Sequence, residues 1–111
     1  MREIKFRGLT IGENSHWVIG YLCKKFEDDV RIYVPKMQVW SSVRPETVGE
    51  YTGLKAKGRY EIFEGDVLSD GCESYIVEWH QGGFWATGRN LLPLEEICDE
   101  CDIIGNIFRE D

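Results

Sequence analysis

Two cysteines three positions apart, Cys98 and Cys101, are the first residues whose type and spacing suggest chemistry. A structural zinc site needs four ligands, and its strong sequence form is a second Cys-x-x-Cys pair. Only Cys23, Cys72, His16 and His80 remain to complete such a set, and they are scattered. A redox pair needs an electropositive setting that stabilises thiolate, yet Asp99 and Glu100 stand between these thiols. The spacing also suits packing on one helix face, so the expectation is buried thiols, with no metal and no other cofactor.

Glu61, Glu64 and Asp66 are the next candidates. Acid–base work by paired carboxylates requires a pocket that drives their pKa values apart. Here they flank Gly65 in a strand–turn unit, where glycine takes a backbone angle closed to other residues and Asp66 caps the turn's amides. His16 and His80 are the two histidines, and neither has a nucleophile and an orienting acid beside it in sequence. Gly82-Gly83 lacks the helix and lysine of a phosphate loop. No catalytic residue is assigned, and the chain is expected not to be an enzyme.

Aromatic residues offer more. Trp17, Tyr21, Tyr33 and Trp40 fall among Lys24, Lys25, Arg31, Lys36 and Arg44. Rings interleaved with cations can stack single-stranded bases or grip a peptide; the competing use is filling a small core. The candidate binding residues are Trp40, Tyr33, Arg31 and Lys36, joined by Lys55, Lys57 and Arg59 from a glycine-containing loop over residues 53–59. Trp40 is the ring most expected to be exposed, because residues 35–50 show no clean period and read as an irregular connection.

The elements that must position these residues are mostly strands. Residues 3–7 alternate polar and apolar. Residues 16–24 place Trp17, Ile19, Tyr21 and Cys23 on one face and Val18, Gly20 and Leu22 on the other. Glu27-Asp28-Asp29 signals a turn, and residues 30–34 return as a strand ending at Pro35. Further strands are expected near residues 60–63, 67–68, 74–80, 84–87 and 102–108, with turns at Gly53, Gly65-Asp66, residues 69–71, 81–83 and Gly105. Leu94, Ile97, Cys98 and Cys101 form the i, i+3, i+4, i+7 stripe of one short helix over 93–101. Short strands and tight turns suit a mainly β fold, a small antiparallel barrel.

With 111 residues, the chain is the length of one domain. It holds 20 acidic and 13 basic residues, for a net charge of −7, which excludes a uniformly basic nucleic-acid coat. The distribution is uneven: eleven basic and seven acidic residues in 1–60, one and six in 61–94, one and seven in 95–111. The longest uncharged stretches run ten residues, half of what a bilayer crossing needs. Residues 1–7 are too charged for a signal peptide, so a reducing cytoplasm is the expected compartment.

Four segments resemble the YopX family, in the family's order: residues 1–7 (MREIKFR), 48–55 (VGEYTGLK), 61–67 (EIFEGDV) and 104–108 (IGNIF). Residues 56–60 (AKGRY) depart from the family's Asp-Lys-Asn-Gly-Lys-type loop. The resemblance implies a phage or prophage origin and an SH3-like barrel, and it carries no catalytic residues. Together these readings lead to a single YopX-like domain that binds a host or phage protein. Nucleic-acid binding through the basic, aromatic N-terminal half is the alternative. No membrane partner is expected, and self-association stays open.

Overall fold

Side chains alternate in direction along residues 17–23 and 29–34, which gives two strands that each have a core face and an outer face. The structure, a computed structural model, describes residues 3–26 and 28–108; Glu27 of the expected turn, the side chain of Lys25, and Met1 and Arg2 of the first family segment lie outside the described residues. The chain divides into two compact units, one of Glu3–Tyr51 and one running on from Thr52.

The first unit contains β1 (Phe6–Leu9), β2 (Trp17–Phe26), β3 (Asp29–Val34), β4 (Val39–Val43) and the start of β5 (Gly49–Lys55). Their order is β4-β3-β2-β1-β5, antiparallel throughout. Val18, Val30, Ile32 and Val43 form the core, with Phe6, Val34 and Val48 against it. Fully burying a side chain such as Ile32 or Val43 stabilises the fold by about 1.5–3 kcal/mol.

Past Leu9 the chain turns back onto β4. Thr10 bridges Val43, and the Arg44 N–H donates to the Leu9 carbonyl at 2.8 Å. The buried Thr47 hydroxyl locks this corner, accepting from the Leu9 N–H at 2.9 Å and donating to the Arg44 carbonyl at 2.7 Å. The sheet thus curls around its core without becoming a closed barrel. A single bridge is not a ladder, and Pro45 begins a 3-10 turn, Pro45–Thr47, that carries the chain away.

β4 corrects the expectation of an irregular connection over 35–50. Its period was hidden because Ser41 takes a core-face position while Trp40 faces out, reversing the polarity that alternation normally shows. A second correction concerns residues 53–59. Gly53, with φ of 84°, and Lys55 belong to β5, and only Lys57–Arg59 forms a turn, of 3-10 type.

In the second unit β5 continues beside β6 (Glu61–Phe63), where the Thr52 hydroxyl donates to the Ile62 carbonyl at 2.8 Å. A five-stranded antiparallel sheet follows, of β7 (Asp66–Ser69), β8 (Ser74–His80), β9 (Gly83–Thr87), β10 (Leu91–Pro93) and β11 (Asp102–Asn106). It is ordered β10-β9-β8-β7-β11. This sheet is also open. Pro93 in β10 has no N–H to offer a further strand, and β11 shifts register between Ile103 and Gly105, so the irregularity falls at Ile104 while Gly105, expected as a turn, pairs with Val67.

Helix α1 (Leu94–Ile97) ends sooner than the stripe predicts, tightening into a 3-10 turn over Cys98–Glu100. Carboxylates at Asp99 and Glu100 oppose the negative end of the helix dipole, which disfavours further turns. The stripe itself holds: Leu94, Cys98 and Cys101 are buried with Ile62, Leu68 and Val77, and Ile97 packs alongside. Among the described residues no helix is long and apolar enough to cross a membrane.

Candidate functional site

The face of β2, β3 and β4 opposite the core carries a row of rings. Tyr21 is the register partner of Tyr33, and Tyr33 that of Trp40. Neighbouring strands lie about 4.8 Å apart, so the row spans roughly 10 Å across three strands. Tyr21 is 60% and Trp40 54% exposed, with Tyr33 half-buried between them. The Tyr33 and Trp40 centroids are 5.1 Å apart and the planes tilted by 53°, a packing that sets the Trp40 ring against its neighbour. Ile19, exposed on the same face, extends the row along β2 toward Trp17. There the Arg7 guanidinium stacks 4.6 Å from the Trp17 ring centroid.

One cation beside this row is paired. Arg31, two residues before Tyr33 on the same face of β3, donates to both carboxylate oxygens of Asp29 at 3.0 and 3.3 Å. Lys36 lies exposed in the turn between β3 and β4. Over Glu3–Tyr51 the sequence has seven basic and seven acidic residues. The basic excess seen over residues 1–60 therefore does not belong to the unit that carries the aromatic row.

Among the binding residues expected from sequence, Tyr33 and Trp40 meet, and Arg31 and Lys36 lie on or next to their two strands. Lys55, Lys57 and Arg59 are exposed and belong to the second unit. Their turn is closed by its backbone: the Lys57 N–H donates to the Cys101 carbonyl and the Arg59 N–H to that of Ala56, both at 2.9 Å. The turn residues behave as expected at Gly65, where φ is 93°, and at Asp66. Asp66 is 1% exposed and accepts from the Phe63 N–H at 2.8 Å. The prominence of Tyr21 and Ile19 was only half visible in sequence. Their shared face could be read from alternation, but not that this face meets solvent.

The chemistry-bearing groups have local structural partners. His16 Nδ1 sits 2.9 Å from the Asn14 carbonyl, and His80 Nε2 sits 3.5 Å from Glu78. Burial first, then the charge of Asp99, pushes the Cys98 thiol up; burial, then Asp70, does so for Cys101. Thiols held protonated and covered react slowly. A thiol reagent is therefore expected to modify Cys23 and Cys72, which are exposed, and to reach Cys98 and Cys101 only in denaturant. Mass spectrometry distinguishes the two patterns, and rapid modification of all four in native protein contradicts the packing described.

One titrating cluster lies in the β7–β8 hairpin. Asp70 accepts from the Glu73 and Cys72 N–H groups, each at 2.8 Å, which holds its carboxyl below the ordinary value. The Tyr75 hydroxyl donates to Glu73 at 2.8 Å, and this bond, with burial of the ring, pushes the phenol up to about 12. Because the folded value is raised, its contribution to stability is whole below the ordinary value of 10.0 and fades as pH climbs toward about 12. The Tyr75 phenol, followed by phenolate absorbance against a Tyr75→Phe control, is expected to titrate late and to move back toward 10.0 in Glu73→Gln. An unchanged titration in that variant contradicts the assignment.

A family model described as YopX protein matches residues 5–110. No curated protein matches the chain.

Proposed function

The chain belongs to the YopX family, and from that premise we propose that it is a non-enzymatic binding module whose outer β2–β4 face docks a protein partner. The observation that carries this reading is the row Tyr21–Tyr33–Trp40, three rings side by side on a face that meets solvent. Clustered tyrosine and tryptophan supply large, stiff contact area at small entropic cost, which is why they dominate protein interfaces. The balanced charge of this unit favours protein over nucleic acid, whose phosphates require net cation density. Family resemblance adds an SH3-like fold type, a phage or prophage origin and a bacterial cytoplasm as its setting.

The test is crosslinking with mass spectrometry from a photoreactive residue at Ser42, which neighbours Trp40 in β4 and faces the same way by register. Recovery of one protein, lost when Tyr21 and Trp40 are replaced, supports the reading. Crosslinks only to a second copy of this chain, or only to nucleic acid with affinity that collapses as salt rises, overturn it.

A further inference from the structure

A cleft of about 460 Å³ opens in the second unit, within the roughly 300–1,000 Å³ typical of ligand sites. It lies beside the two-residue turn joining β8 to β9, where Gln81 and Gly82 have φ of 47° and 80°. Positive φ at both central residues matches the strand twist of a tight hairpin. The turn brings two rings, Phe84 and Trp85, to the cleft. Phe84 meets Trp79 edge-on, with centroids 4.8 Å apart. The Trp85 indole N–H donates to the His80 carbonyl at 3.0 Å. Both rings are thus held before any ligand arrives.

Leu54 and Pro93 complete the apolar part of the wall, and Pro93 is the register partner of Trp85. Among the described residues, Glu95 is the one ionisable residue in the lining, and no lysine or arginine lines the cleft. Among the described residues its carboxylate makes no ion pair. The wider charge has the same sign, since residues 52–108 hold eleven acidic and four basic side chains. Such a field concentrates cations at a concave, partly apolar site.

We infer that this cleft receives an arginine side chain presented by a protein partner. A guanidinium is flat, stacks on aromatic faces and bonds a carboxylate through a fork of N–H groups. The compact ammonium of lysine holds its water more strongly and fits less well. The cleft is partly open to solvent, so a side chain can enter from outside. The site belongs to a different unit from the aromatic row, and the inference stands independently of the reading proposed for that row.

The experiment is an NMR titration of the full chain with acetyl-Gly-Arg-Gly-amide, following the Trp85 indole N–H and the amides of Gly82, Gly83 and Glu95. Saturable shifts at those positions are expected, with weaker binding by the lysine peptide and none by the citrulline peptide. Glu95→Gln is expected to weaken the arginine peptide roughly three- to tenfold, the loss of one partly exposed charge-assisted contact, with the rest of the spectrum unchanged. Phe84→Leu provides a second, uncharged probe, expected to weaken binding through the lost ring. Absence of saturable shifts, equal binding of arginine and citrulline peptides, or an unaffected Glu95→Gln protein overturns the inference. Free arginine amide binding as tightly as the peptide also overturns it, in favour of a small-molecule site.

Discussion

Trp40→Ala is expected to weaken partner binding by about 30-fold or more, the roughly 2 kcal/mol that separates an interface anchor from its surroundings. It is expected to do so with little harm to the fold. Trp40 is more than half exposed, on a strand whose core residue is Val43. Its packing with Tyr33 is a single tilted ring contact, worth about 0.5–1.5 kcal/mol. Tyr21→Ser acts from the other end of the row and is expected to cost a comparable factor. Because both rings flank Tyr33, the double variant should lose less than the sum of the two. Binding measured by calorimetry against the crosslinked partner, at low and high salt, provides the check. Weak salt dependence is expected for a contact made by rings in a neutral unit, and a full-strength interaction by both single variants removes the row from the interface.

Gly20→Ala is expected to be the most damaging small substitution in the first unit. A Cβ at Gly20 would stand 1.8 Å from the Tyr33 carbonyl oxygen and 2.8 Å from its carbon, both backbone atoms. A methyl group needs nearly twice that separation, so β2 and β3 would have to part where Tyr21 pairs with Tyr33. Overpacking of a rigid site costs about 1–3 kcal/mol, and here the obstruction is backbone, which places the expectation at about 3 kcal/mol. That is a large share of the roughly 5–15 kcal/mol that holds a domain together. Gly105→Ala is the matched control: nothing lies within 4 Å of its Cβ position and its φ is not positive. Urea denaturation of the two variants should give well-separated midpoints, and coincident midpoints contradict the close approach of β2 to β3.

How much of this was readable beforehand depends on how local each signal is. β8 was legible residue by residue, since Tyr75 and Val77 alternate with polar or exposed neighbours between two turn sequences. The packing stripe of Leu94, Cys98 and Cys101 was legible for the same reason, although the helix carrying it stops at Ile97. β4 was not, because its membership rests on pairing with β3 and not on its own pattern. Closure of the sheet was not legible either. Whether Thr10 meets Val43 through one bridge or a full ladder depends on the path of the Pro45–Thr47 turn.

The sequence by itself determined the β class, the two faces of β2 and β3, the packing role of the cysteine pair and the Gly65-Asp66 turn. Each follows from spacing and backbone preference over a few residues. Only the tertiary structure decided which of those two faces meets solvent, and so set Tyr21 and the half-buried Tyr33 in one row with Trp40, the ring already expected to be exposed. It also decided where charge is divided. The boundary after Tyr51 leaves seven basic and seven acidic residues in Glu3–Tyr51, whereas a count along the chain to residue 60 made that half basic. Burial and net charge of a unit are sums over residues brought together by folding, and no local pattern carries such a sum.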